Sequence, residues 1–193
     1  MGKQGGTDFN TYLMYGGRKR CNVANNGSIV AWYGDGNYAE DGSNGQVMIY
    51  QPKFYYNRTI ISSDINELGG TIIRKETITL SYTQRSNFKL HPLFIAENGE
   101  ELDYVLLSAY EGSAYKTGSA TYDQLDGLGI NFNTDMLSSI AGVKPISGAK
   151  VQFTSQNAEK MAQNRGQGWH ITNLAAESAL QLLLSVEYNT LNA

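Results

Sequence analysis

The sequence predicts an α+β protein, a β-rich N-terminal part followed by two helices packed on a mainly antiparallel sheet. Three observations carry this expectation. The 193 residues include 21 Gly and 13 Tyr against 3 Pro, the composition of tight turns and aromatic strands. β-branched and aromatic runs crowd roughly the first 110 residues, where apolar positions tend to alternate. After position 150 the apolar spacing changes to that of helices.

In order along the chain, residues 1–17 are glycine-bearing and weakly patterned, which predicts a flexible or partner-dependent arm. A β-rich region follows over 18–86 and a helix-bearing domain over 87–193. The cluster Arg18-Lys19-Arg20 is expected in a solvated turn. GSIVAWYG reads as a strand. VMIYQPKFYY reads as a longer one, in which Pro52 marks an edge or a bulge. TIIRKETITLSY is next, then LHPLFIAENGEELDYVLLSAYEG, with Asn98-Gly99 as a hairpin signal. Within it, Tyr104–Ala109 is expected to be a largely buried central strand ending at Tyr110-Glu111, because VLL is continuous and β-prone and Gly112 permits a turn. Gly142, Pro145 and Gly148 mark the loop before the helices.

Thr154 or Ser155 caps a first helix with Ala158, Met161 and Ala162 as its apolar stripe, and Gly166 sits where a left-handed C-cap belongs. Thr172 or Asn173 caps a second, whose Ala176, Ala179, Leu180, Leu183, Leu184 and Tyr188 form a face that must find a sheet. No internal repeat is visible.

Composition narrows the function classes. A single cysteine, Cys21, permits no intrachain disulfide. The N-terminus lacks the apolar core of a signal peptide, and no apolar run approaches the roughly 18 residues of a spanning helix. A soluble chain made in a cytoplasm, without membrane insertion, is expected. The net charge of -3 and the absence of an extended basic face argue against a nucleic-acid partner.

Chemistry-bearing patterns are sparse. GDGNYAEDGSNGQV at 34–47 alternates acids and amides with glycines as a calcium loop does. Asp35 and Asn37 fit its first two ligand places, but Ala39, Glu40 and Gln46 fail at the later ones. Turns between strands are expected, with no metal. His91 and His170 lack ligand spacing, and His91, before a proline in an apolar run, reads as structural. Cys21 follows three cations that favour a thiolate, yet has no evident partner. No catalytic residue and no cofactor are assigned. Trp32, Tyr33 and Tyr38 flank the glycine turns and are the candidate binding residues, an exposed aromatic surface for a neighbouring subunit or a bacterial glycan; the alternative is that Trp32 is buried in its own strand.

NGQVMIYQPKFYY, FKLHPLFIAENGEELDYVLLSAYEGSAY, SSIAGVKPISG and AQNRGQGWHITNLAAESALQLLLSVEYNTLNA, in that order, resemble bacteriophage tail-fibre or adhesin-like virion proteins with a C-type-lectin-like fold. The formylglycine-generating enzymes share this fold. The resemblance spans about positions 20–193 and implies that 87–193 is a C-type-lectin-like domain. Members continue past the second helix into a glycine-rich half that carries ligand-contacting and, in the enzymes, catalytic cysteine residues. The sequence stops at Ala193, so on the resemblance it is expected to be either truncated or a short variant. WHITN at 169–173 also departs from the Arg-Leu-Pro-Thr type of turn that the enzymes have there. The resemblance therefore implies a non-enzymatic virion component, a tail fibre or fibre tip made in the host bacterial cytoplasm. Its expected partners are other virion subunits, as a homo-oligomer, and a bacterial surface receptor. The alternatives are a head fibre or decoration protein, a formylglycine-generating-type enzyme, and a calcium-dependent sugar-binding module.

Overall fold

The structure, a computed structural model, describes residues 8–188. Its strands are β1 (Lys19–Val23), β2 (Ile29–Trp32), β3 (Gln46–Pro52), β4 (Tyr55–Ile65), β5 (Thr71–Ser81), β6 (Lys89–Leu90), β7 (Tyr104–Ser108), β8 (Ser113–Lys116), β9 (Thr121–Tyr122) and β10 (Met136–Ser138). The α-helices are α1 (Leu13–Gly16), α2 (Ser155–Gln163) and α3 (Leu174–Tyr188), with short 3-10 turns at Phe9–Thr11 and Pro92–Phe94. The chain is α+β with mostly antiparallel sheets.

Two compact units divide the described residues, one comprising 8–18, 51–105 and 173–188 and the other 19–50 and 106–172. Both are discontinuous in sequence, whereas the sequence reading set boundaries after 17 and 86. Of the arm expected over 1–17, residues 1–7 lie outside the described residues. The remainder carries the first 3-10 turn and α1, and its Met14 is buried.

In the first unit Met14, Phe54, Phe94, Ala179 and Leu183 form a core, edged by Tyr15, Leu80, Leu90, Leu93 and Val105. Asn173 caps α3 by accepting from the Ala176 N–H at 3.0 Å, and Tyr15 Oη donates to the Leu183 carbonyl at 2.8 Å. The buried face of α3 is narrower than the sequence suggests: Ala176, Ala179 and Leu183 are buried, but Leu184 and Tyr188 are exposed. The sheet here has the order β5-β4-β6. Its β4–β5 hairpin, 11 residues a strand, leaves most side chains exposed.

The second unit holds the sheet order β2-β1-β3, flanked by β7, and a three-stranded sheet β10-β8-β9. Cys21, Val23 and Met48 form its core with Ile29, Trp32, Tyr50, Leu106 and Trp169. α2 is capped by Thr154, whose hydroxyl accepts from Asn157 N–H at 3.2 Å, and buries Ala158, Met161 and Ala162. Arg165, just past α2, is buried and donates to the Leu137 carbonyl, to Asn25 Oδ1 and to Ser138 Oγ. Its burial pushes its pKa down to about 10.

Several expectations are corrected. Lys19 and Arg20 open β1 rather than a turn, because their strand pairs with both β2 and β3. Tyr104–Ser108 is a strand, but it ends the order β2-β1-β3-β7 and is half-buried, since an edge strand has only one neighbour to cover it. Pro52 ends a strand paired on both sides, a place where the missing N–H costs no internal ladder bond. Gly166 is not a left-handed cap. It has φ +154° and lets the backbone pass the Asn25 carbonyl, which a Cβ would meet at 2.6 Å.

Candidate aromatic contact surface

The site is built on a turn that leaves β2. Asp35 N–H donates to the Trp32 carbonyl at 3.0 Å, and the Asp35 carboxylate accepts from Trp32 N–H at 2.8 Å, so backbone and side chain close the same turn. Gly34, at φ +100°, supplies the conformation this reversal needs. Tyr33 is thereby lifted off the strand end and is 70% exposed. Tyr38 meets it edge to face, with centroids 5.3 Å apart and planes at 78°. Trp32 differs. It is half-buried in the core cluster, edge to face with Tyr50 at 5.4 Å. Of the three rings nominated from sequence only Tyr33 is exposed; Tyr38 is half-buried and pairs with it, and Trp32 packs inward.

The loop that carries Tyr38 is fixed from below. Asn22, fully buried on β1, donates to the Ala39 carbonyl at 2.7 Å and accepts from Ala39 N–H at 2.9 Å. Asn44 Nδ2 donates to the Asn37 carbonyl at 2.8 Å, and Glu40's own carbonyl accepts from Ala141 N–H at 2.7 Å. A polar side chain buried with both ends satisfied rigidifies what it holds.

Glu40 is the hub of the polar half. Its carboxylate accepts from Tyr38 Oη at 2.7 Å, Tyr110 Oη at 2.5 Å and Arg20 Nη1 at 2.9 Å, while the Arg20 guanidinium lies 5.4 Å from the Tyr110 ring centroid. Desolvation pushes the Glu40 pKa up, but the donors Tyr110, Tyr38 and Arg20 outweigh it and hold the carboxyl below its ordinary value. The Tyr110 phenol is raised chiefly by its bond to Glu40, and that of Tyr38 chiefly by burial and then by the same carboxylate. All three groups therefore keep one protonation state across the neutral range.

This constellation holds a paired cation and anion of no net charge, phenol donors locked in place and aromatic faces. It carries no activated nucleophile. Its aromatic faces with polar edges are chemically suited to contact with a flat, polar-edged surface. The oxygens of the would-be calcium loop are spent on turns: Asp35 as described, and Asp41 on Ser43 N–H at 2.9 Å. Among the described residues no group of three His, Cys, Asp or Glu is placed to hold a metal.

The remaining candidates are structural in their bonding. His91 is buried among Phe54, Tyr56 and Phe94, and its Nδ1 accepts from Leu93 N–H at 3.2 Å. In the neutral ring Nε2 therefore carries the proton toward Ser178 Oγ, 3.4 Å away, the wrong tautomer for a base that would activate that serine. Burial also pushes the His91 pKa down. Cys21 is buried, and desolvation raises its thiol to about 11 against a backbone hydrogen bond from Tyr50 that lowers it. His170 Nδ1 and Glu159 lie 2.7 Å apart at the surface.

Sequence reasoning missed Arg20, Glu40, Tyr110 and Asn22. The Tyr38-x-Glu40 spacing was the one local signal, since alternate residues of an extended segment share a side. Tyr110 reaches the same carboxylate from 70 positions away, which no local pattern reveals. Comparison with protein-family models, curated proteins and solved structures finds no match to this chain.

Proposed function

We propose that the chain is a non-enzymatic structural component of a bacteriophage virion, a tail fibre or fibre tip that assembles with other copies and contributes to attachment to the host bacterium. The finer fold reading, a C-type-lectin-like domain, belongs to the same proposal and rests on the sequence resemblance. The observation that carries the attachment role is the exposed Tyr33 ring, lifted by a turn closed on both sides, paired edge to face with the half-buried Tyr38 and backed by the neutral Arg20–Glu40–Tyr110 cluster. Rigid tyrosines bury much area at small entropic cost, which is what a receptor-contacting surface requires. The buried, high-pKa thiol of Cys21 supports the non-enzymatic reading over thiol oxidation chemistry at this residue.

The test has two readouts. Antibody against the chain, imaged on particles by electron microscopy, should decorate the fibre or its tip. Particles carrying Tyr33→Ala should adsorb to the host at least ~10-fold more slowly, the loss expected when an aromatic anchor worth over ~1.4 kcal/mol is truncated. Unlabelled particles refute the virion assignment, and unchanged adsorption refutes the role of this surface.

A further inference from the structure

In the first unit, α3 and the base of the β4–β5 hairpin face each other across a gap. Tyr56 and Arg58 are alternate residues of β4, Glu76 and Ile78 alternate residues of β5, and Arg58 stands opposite Ile78, so all four share one face of the hairpin. On α3, Ser178, Gln181, Leu182 and Ser185 recur at the spacing of a single helix face, beside the buried stripe of Ala176, Ala179 and Leu183. Between them lies a partly open cleft of about 380 Å³, lined also by His91 and Pro92. A helix laid on a sheet buries apolar side chains against it, whereas three of these four helix residues are polar.

The cleft holds hydrogen-bonding groups that the protein itself does not use. The Glu76 side chain is only 8% exposed, yet among the described residues its one partner is Arg58, whose Nε donates to Oε2. A carboxylate has about four acceptor positions, and leaving them empty in a sheltered place is costly. The Nη groups of Arg58, Tyr56 Oη, the Gln181 amide and Ser185 Oγ also make no side-chain hydrogen bond to the described residues. Ser178 Oγ stands 3.4 Å from the protonated Nε2 of His91 and accepts from it, which leaves its own hydrogen to donate.

This lining selects a class of molecule. Glu76 and Arg58 neutralise each other, so a ligand of either net charge meets a like charge in the cleft. Tyr56, Ser178, Ser185 and Gln181 each both donate and accept, and so match ligand groups that do both. Hydroxyls are such groups; carboxylates, phosphates and ammonium ions are not. The planar ends of Arg58, Glu76 and Gln181 each offer two polar atoms side by side, which suits neighbouring hydroxyls on one ring. The Tyr56 ring, Ile78, Pro92 and Leu182 supply apolar wall for C–H faces. The volume lies at the small end of the ~300–1,000 Å³ of small-molecule sites and admits one or two sugar rings.

We propose that this cleft binds a neutral saccharide of one or two rings, held by Glu76, Arg58, Gln181 and Ser185 with the Tyr56 ring as its apolar wall. The site goes beyond the surface at Tyr33 and uses residues of the first unit alone. Its binding is read on the purified chain, whereas the function above is read on particles, so either can fail without the other.

The test is saturation-transfer NMR and calorimetry on the purified full chain with glucose, galactose, N-acetylglucosamine, cellobiose, lactose and chitobiose. Concentrations up to ~10 mM suffice to detect the ~1 mM dissociation constant expected of a small, partly open cleft. At least one of these sugars should bind, and Gln181→Ala with Ser185→Ala should weaken it at least ~5-fold. Both substitutions raise helix propensity, so the thermal transition should not fall. Ser185→Phe, which fills the cleft with a ring, should abolish binding. Inorganic phosphate and free glutamine, as anionic and zwitterionic probes, should not bind. The proposal is overturned if none of these sugars binds, if binding survives both variants, or if phosphate or glutamine binds more tightly than every sugar.

Discussion

Leu183→Ala tests whether α3 is docked through the narrow face that the structure shows. Leu183 is 2% exposed and packs in one cluster with Met14, Phe54, Phe94 and Ala179. Truncation removes three carbons at ~0.8 kcal/mol each, or ~2.4 kcal/mol of transfer free energy. Phe54 and Phe94 are fully buried, their rings 5.4 Å apart and at 74°, so they cannot collapse into the space without breaking their own packing. The cavity then adds roughly 1 to 1.5 kcal/mol, for a total of about 3–4 kcal/mol, inside the range found for buried leucines. The bond from Tyr15 Oη to the Leu183 carbonyl is untouched, because it uses the backbone. In a chain of this size each kcal/mol moves the melting temperature by ~2–4 °C, so thermal unfolding followed by circular dichroism should shift down by ~6–16 °C. Leu184→Ala is the control: one position on, at 42% exposure, it should cost under ~1 kcal/mol. Equal losses from the two variants, or a loss below ~0.5 kcal/mol at Leu183, would refute the docking face.

Two further outcomes are expected. Arg165 offers its guanidinium to three acceptors, two on β10 and one at Asn25 after β1, and lies 5.7 Å from the Trp169 ring centroid, so Arg165→Met should destabilise the chain by ~3 kcal/mol or more in urea unfolding. Arg165→Lys should recover less than half of that, since a point ammonium cannot span the fork; full recovery would show that charge alone matters. The buried Asp123 has its pKa raised by desolvation but lowered more by Lys116, 2.9 Å away, and by the N–H groups of Gly127 and Leu125, for a net depression. A depressed carboxylate contributes stability that is present above its unfolded value, ~3.9, and is lost as pH falls through its folded value. Urea midpoints should therefore decline below about pH 4 more steeply in the natural chain than in Asp123→Asn; parallel curves would refute this assignment.

The two longer helices were legible in the sequence because their determinants are local. Thr154 and Asn173 are capping side chains within three residues of the N–H groups they serve, and Ala158, Met161, Ala162, Ala176, Ala179 and Leu183 recur at the helical period. The turn chemistry of 34–47 was legible for the same reason, since Asp35 and Asp41 bond to groups within three positions. Strand context was not. Asn57–Ile65 gave no clean alternation to mark it as half of a long hairpin, because alternation reports a buried face and this ribbon has none. VLL reads as a buried run, but its place at the end of a sheet depends on which strands pair, and pairing is set by residues far apart in sequence. The aromatic surface divides in the same way: local turn residues present Tyr33, whereas the sorting of Trp32 inward onto Tyr50, and of Arg20 and Tyr110 onto Glu40, is decided by the register of β1 against β2 and β3 and by the return of the chain after β7. Periodicity and capping are written in neighbouring residues; burial and convergence on one carboxylate exist only once distant segments have packed.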